Sequence, residues 1–241
     1  MLTSSTKLVL RSLRRLSILS LVAIGLVGGA SYLKMSRSAA DTSVAMVSKA
    51  FPDSATDIST TQAKGTQTAV FAGGCFWGLE AVFEHLKGVT DVVSGFSGGS
   101  AETAHYGLVS FGQTGHAEAV KITYDPTQIS YGQLLKVYFA VAHDPTQLNR
   151  QGPDAGTQYR SAIFFGNDDE KRVAQAYIDQ LSQAHTFNKP IVTQLAPLKG
   201  FYAAEAEHQN FINNNPNYPY VVMHDLPKLE QLKSKFAALY K

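Results

Sequence analysis

The residue with the most chemistry to offer is Cys75, the single cysteine of a 241-residue chain. Its solitude excludes an intrachain disulfide, a cysteine-rich zinc site and any thiol pair working within the chain. A lone cysteine is most often a small buried hydrophobe, but this one follows the short apolar run 68–72 and the pair Gly73-Gly74, and it opens a segment with helical patterning over 75–86. A helix N-terminus presents unpaired N–H groups and a partial positive charge, so that placement is expected to favour thiolate, the nucleophilic form. The glycines allow a tight turn and a ligand close to the backbone. Phe76 and Trp77, the only tryptophan, come next. Neighbours on a helix point in different directions, so both cannot fill one core stripe, and aromatics beside a nucleophile can cage a small apolar group. The chemistry suggested is thiol attack on a small, partly apolar centre.

Alternating elements must position these residues. Strand-like runs at 68–72, 89–96, 117–124, 161–165 and 191–196 alternate with helical patterns at 75–86, 131–141, 168–184, 203–213 and 228–239. Such alternation predicts an α/β or α+β sandwich, a mixed sheet covered by helices, beginning near Thr68. A long polar loop over 144–159 interrupts it, and loops of that length are often functional. With 44% hydrophobic residues the chain can build a sizeable core, and a net charge of +2 gives no case for a nucleic-acid partner.

Ahead of this domain lie two other regions. Lys7, Arg11, Arg14 and Arg15 precede an uncharged stretch at 16–33, about the length that spans a bilayer. That is the layout of an export signal or a signal anchor over 1–35, with the rest sent outside the cytoplasm: periplasmic, or anchored so that the membrane is touched only through this segment. Both Ser38-Ala39-Ala40 and Gly28-Gly29-Ala30 offer small-residue cleavage sites. Residues 36–66, rich in Ser, Thr, Ala and Asp, read as a flexible linker, leaving 67–241 as the catalytic domain.

Gly74-Cys75-Phe76-Trp77-Gly78 resembles the signature of the peptide methionine sulfoxide reductase A family. Further blocks resemble the family in the right order: Gly115-His116-Ala117-Glu118-Ala119-Val120, His143-Asp144-Pro145-Thr146, Gly156-Thr157-Gln158-Tyr159-Arg160-Ser161, and Phe201-Tyr202 with Glu205 and His208. Together they span about 68–224. The resemblance implies a ferredoxin-like plait with family elaborations and reduction of the S epimer of methionine sulfoxide, in proteins and free, with no cofactor beyond an external thiol.

It also implies roles. Cys75 would attack the sulfoxide sulfur and Glu118 would protonate the departing oxygen. A Glu doing this must be protonated near neutral pH, hence buried, and Glu118 stands between Ala117 and Ala119 in an alternating strand pattern. Tyr106 and Tyr159 match positions whose hydroxyls bond the sulfoxide oxygen, a task that suits neutral phenols. Asp154 matches a carboxylate that organises the site. Phe76 and Trp77 match the pocket for the methyl group on sulfur. Many relatives carry a resolving cysteine after a segment like Asn215-Pro216-Asn217-Tyr218-Pro219-Tyr220, but here Val221 follows. The chain is similar to the one-cysteine branch, in which a Cys75 sulfenic acid must be recycled by a thioredoxin-like partner, a glutaredoxin or a small thiol.

Two alternatives come from other classes. A Cys-dependent hydrolase would use His116, His143 or His208 as base. A non-catalytic binding domain on the same fold would need no acid beside its thiol.

Overall fold

Strand β1 (Gln67–Ala72) turns Ala69 and Phe71 toward one apolar layer and Val70 and Ala72 toward another, so it is buried on both faces. In the computed structural model, which describes residues 50–59 and 65–241, the elements after it run in this order. Helix α1 (Phe76–Glu84) precedes β2 (Val89–Ser97), and the short α2 (Tyr106–Val109) precedes β3 (Ala117–Tyr124). Helix α3 (Tyr131–Val137) runs into a π turn, Tyr138–Ala142. A two-strand ribbon of β4 (Arg150–Gln151) and β5 (Asp154–Ala155) leads to β6 (Ala162–Phe165) and α4 (Asp168–Gln183). Strands β7 (Gln194–Pro197) and β8 (Phe201–Ala203), helix α5 (Phe211–Asn214), a second π turn (Val221–Asp225) and α6 (Leu226–Lys235) complete the chain.

The six-stranded sheet has the order β7-β6-β1-β3-β2-β8. Its neighbours are antiparallel except β6 and β7, which are parallel, so the sheet is mixed, as expected. The inner four strands with α1 and α3 make a ferredoxin-like plait, and β7 and β8 extend its edges. Phe71 packs on Phe83 of α1, on Tyr131 of α3 and on Tyr138 of the π turn at ring separations of 5.7, 6.0 and 5.0 Å, tying the sheet to the helical layer. Helix α3 begins with a complete capping box between Ser130 and Gln133.

Three sequence expectations change. Residues 203–213 are not one helix: the chain leaves β8, makes one turn at Ala206–His208, and passes through Asn210 at φ +52° before α5. The Gln209 side chain there bonds both backbone groups of Ser94 and the Ala204 carbonyl, which latches this corner to β2. The polar loop at 144–159 contains the β4–β5 ribbon.

The third concerns residues 51–59, which the composition assigns to a flexible linker and which are docked as a strap on α3 and α4. Tyr177 donates to the Pro52 carbonyl at 2.6 Å, and Gln180 bridges the Asp53 carbonyl and the Ala55 N–H. Asp57 accepts from the Gly132 N–H at 2.9 Å and from the Ser130 hydroxyl. Phe51 and Ile58 supply apolar contacts. The polar residues that suggested solvation serve as hydrogen-bond partners for one face of the domain. The 16–33 stretch lies outside the described residues, among which no helix is long and apolar enough to cross a membrane.

Candidate active site

Gly74, at φ +100°, ends β1 and turns the chain so that Cys75 caps α1. An added Cβ on Gly74 would meet the Gln151 side chain at 2.6 Å, so the β4–β5 ribbon closes directly on this turn. Cys75 therefore sits at the start of a helix, as its sequence context predicts, but only 8% of it is exposed.

Burial reverses the thiolate expectation. Desolvation pushes the Cys75 thiol well above its ordinary value, and the negative charges of Glu118 and Asp225 add to the effect. The Trp77 N–H and the Lys228 ammonium favour thiolate without overcoming it. The helix N-terminus acts in the expected direction, but loss of water outweighs it. Burial thus favours the thiol over the thiolate.

Period two of β3 brings Glu118 to the same face. Glu118, Val120, Ile122 and Tyr124 point toward the helical layer, and Ala117 and Ala119 point away. Glu118 Oε2 accepts the Phe76 N–H at 3.1 Å, taking an orphan donor of α1 that a capping side chain would otherwise serve. The carboxyl is 1% exposed, and burial, with Asp154 adding to it, pushes its pKa up to about 8 against the opposing Phe76 hydrogen bond. A carboxylic acid that is neutral at pH 7 can donate a proton.

The other sequence candidates converge here. Tyr106, pushed up to about 12 by burial first and then by the charges of Glu118, Cys75 and Asp154, stays a neutral donor, as does Tyr159 for the same first cause. Asp154 accepts a hydrogen bond from the Tyr220 hydroxyl. Phe76 is fully buried, stacked against Tyr106 and packed on Phe96, so its ring belongs to the core and forms the floor of the site. Trp77 is half-buried, stacked on Phe211 at 3.7 Å with Tyr218 and Tyr220 edge-on, and forms the apolar wall. Val221, which follows the 215–220 segment, is fully buried beside Ala81 and Ile212.

The histidines have other occupations. His116 takes the Gly99 N–H and reaches the Ser100 carbonyl, and His143 bridges Ser161 and the Tyr138 carbonyl with its pKa down to about 3 from burial. His208 packs tilted on Tyr106 at a ring separation of 4.0 Å. Its neighbour Glu205 accepts the Tyr106 N–H at 3.0 Å, which fixes α2 over the site. Sequence reasoning did not single out Tyr220, Phe211, Asp225 or Lys228. The aromatic density of 211–220 was the one available signal.

A buried thiol facing a neutral carboxyl and two phenols, on a ferredoxin-like plait, defines a thiol-based oxidoreductase site. The chain matches the family Peptide methionine sulfoxide reductase over residues 67–239 and belongs to it. It is 59% identical over 178 residues to peptide methionine sulfoxide reductase MsrA 2 of Mesorhizobium japonicum, covering 74% of this chain and 91% of that one. It is 55% identical over 192 residues to the protein of the same name from Synechocystis, covering 79% and 90%. Among solved structures, methionine sulfoxide reductase A of Corynebacterium diphtheriae is 36% identical with a TM-score of 0.56, covering 64% of this chain and 77% of that one. Reduced Mxr1 from Saccharomyces cerevisiae is 31% identical with a TM-score of 0.59, covering 68% and 94%.

Proposed function

We propose that Cys75 attacks the sulfur of a methionine sulfoxide while Glu118 protonates the oxygen that departs. The observation that carries this reading is the neutral, buried Glu118 carboxyl on the first N–H of the helix that Cys75 caps. The chain is a peptide-methionine (S)-S-oxide reductase. In the reaction the substrate S–O bond breaks and an S–O bond forms at Cys75, so the substrate sulfur gains two electrons and the cysteine sulfur loses two. The Glu118 proton ends on the new Cys75 sulfenic acid, and the proton leaving Cys75 restores Glu118. Tyr106 and Tyr159 hold the oxygen, Asp154 with its Tyr220 partner helps organise the site, and Trp77 over Phe76 receives the methyl group. An apolar wall opposite two phenols distinguishes epimers and takes the S form.

With no second cysteine, the sulfenic acid is resolved from outside. One external thiol forms a mixed disulfide and releases water, and a second frees Cys75 and leaves as a disulfide with the first. A thioredoxin-like protein, a glutaredoxin or a small thiol fits that role. The basic leader and uncharged stretch of residues 1–35 support work outside the cytoplasm, released or anchored. A reporter active only in the cytoplasm, fused after residue 66, is expected to stay dark.

The test of the chemistry offers a peptide sulfoxide as separate epimers with dithiothreitol, followed by mass analysis of Cys75 after one turnover without reductant. The S epimer is consumed and one oxygen appears on Cys75. Equal consumption of the R epimer, or methionine formed with Cys75 unmodified, rejects the reading.

A further inference from the structure

The final glycine of Gly74-Cys75-Phe76-Trp77-Gly78 has a neighbour unlike the rest of the core. A Cβ on Gly78 would lie 2.3 Å from Asp225 Oδ1 and 2.7 Å from Lys228 Nζ. Asp225, from the π turn, is 1% exposed, and its Oδ1 is 3.2 Å from the Lys228 ammonium at the start of α6. Its Oδ2 is buried and finds no hydrogen-bond partner among the described residues. Such a pair is poorly explained as a stabilising contact, because desolvating two charges commonly cancels their attraction. The catalytic helix gives up a side chain at Gly78 to admit it.

Gly78 lies three residues after Cys75, so the two share one side of the helix start. Around the sulfur stand the acids Glu118 and Asp225, the phenols Tyr106, Tyr159 and Tyr220, and, beyond them, Asp154. Lys228 acts on Cys75 as a cation, more weakly than Asp225 acts as an anion, and it also faces His143, while His224 faces Asp225. Among the described residues, an anion forming at the sulfur meets the acids Glu118 and Asp225 and, opposing them, the Lys228 ammonium group.

We propose that Lys228, oriented by Asp225 and admitted by Gly78, is a positioning residue that balances the negative charge gathering on the Cys75 sulfur as its proton leaves. It acts through Cys75 and touches no substrate. The inference rests on Cys75 as the attacking group, and its test does not depend on sulfoxide turnover.

The readout is the rate at which iodoacetamide, an uncharged reagent, alkylates Cys75 at one fixed alkaline pH in the full-length protein, since that rate follows the thiolate fraction. Lys228→Met is expected to slow alkylation measurably and to lower kcat with little change in KM. Lys228→Arg keeps the cation and restores the parent rate. Asp225→Asn removes an anion and accelerates alkylation. If Lys228→Met fails to fold because Asp225 is left unpaired, the comparison moves to Asp225→Asn against the double variant Asp225→Asn with Lys228→Met, where the added Met must still slow the reaction. Parent-like alkylation on loss of the Lys228 charge in either background, or no rescue by Arg, overturns the proposal. A Cys75→Ser protein that still reduces sulfoxide would instead remove the reading on which it rests.

Discussion

Glu118 and Phe76 lie 42 residues apart, and the Glu118 carboxyl accepts the Phe76 backbone N–H at 3.1 Å. One hydrogen bond thereby joins the acid on β3 to the helix that presents the thiol. The bond favours the ionised carboxyl, yet burial prevails and holds the pKa at about 8.

Glu118→Gln is expected to lower kcat by about a hundredfold or more, within the range for loss of a general acid. The parent rate should fall as pH rises through about 8, where the carboxyl ionises. The variant's residual rate should lack that limb. A parent-like rate for the variant sinks Glu118 as acid.

The same group sets a stability signature. A carboxyl raised on folding binds more protons in the native state than in the unfolded one between the ordinary Glu range and about 8. Native stability is therefore lost as pH climbs through that window. Thermal unfolding of Glu118→Gln should match or exceed the parent, with the gap widening from acid to mildly alkaline pH. A gap that narrows with pH contradicts the assignment.

Asp154 raises the Glu118 pKa from across the site. Asp154→Asn should move the alkaline limb of the pH–rate profile to lower pH. Tyr106→Phe and Tyr159→Phe should each slow turnover by up to about a hundredfold, as for one lost donor to a developing charge, without moving that limb. A limb that stays put in Asp154→Asn separates this carboxylate from the acid.

The strap makes a prediction remote from the chemistry. Asp57→Ala removes acceptors for the Gly132 N–H and the Ser130 hydroxyl and should cost about 1–2 kcal/mol. Activity per folded molecule should be unchanged. Urea unfolding measures the first and initial rates the second, and unaltered stability would mean the strap carries no load.

Local signals made part of this legible in sequence. Two glycines after an apolar run placed Cys75 at a helix start, and the alternating stretch of β3 set Glu118 between two alanines. Long-range burial was not legible. Nothing near Cys75 in sequence announces that Asp225 and Lys228, 150 and 153 residues away, press on its helix, nor that desolvation reverses the pull of the helix N-terminus. The strap escaped for the opposite reason, since its composition is that of a solvated segment and only its partners on α3 and α4 give it a place. The helical pattern of 203–213 lost to a latch formed by one side chain, Gln209.

The burial that keeps the Cys75 proton in place also decides what the enzyme ignores. Peroxides oxidise thiolates far faster than thiols. A sulfur whose burial disfavours the thiolate is a poor target for the oxidants that create the substrate. With no second cysteine to rescue it by closing a disulfide, this reticence is the chain's own protection, and it predicts an enzyme that survives the damage it repairs.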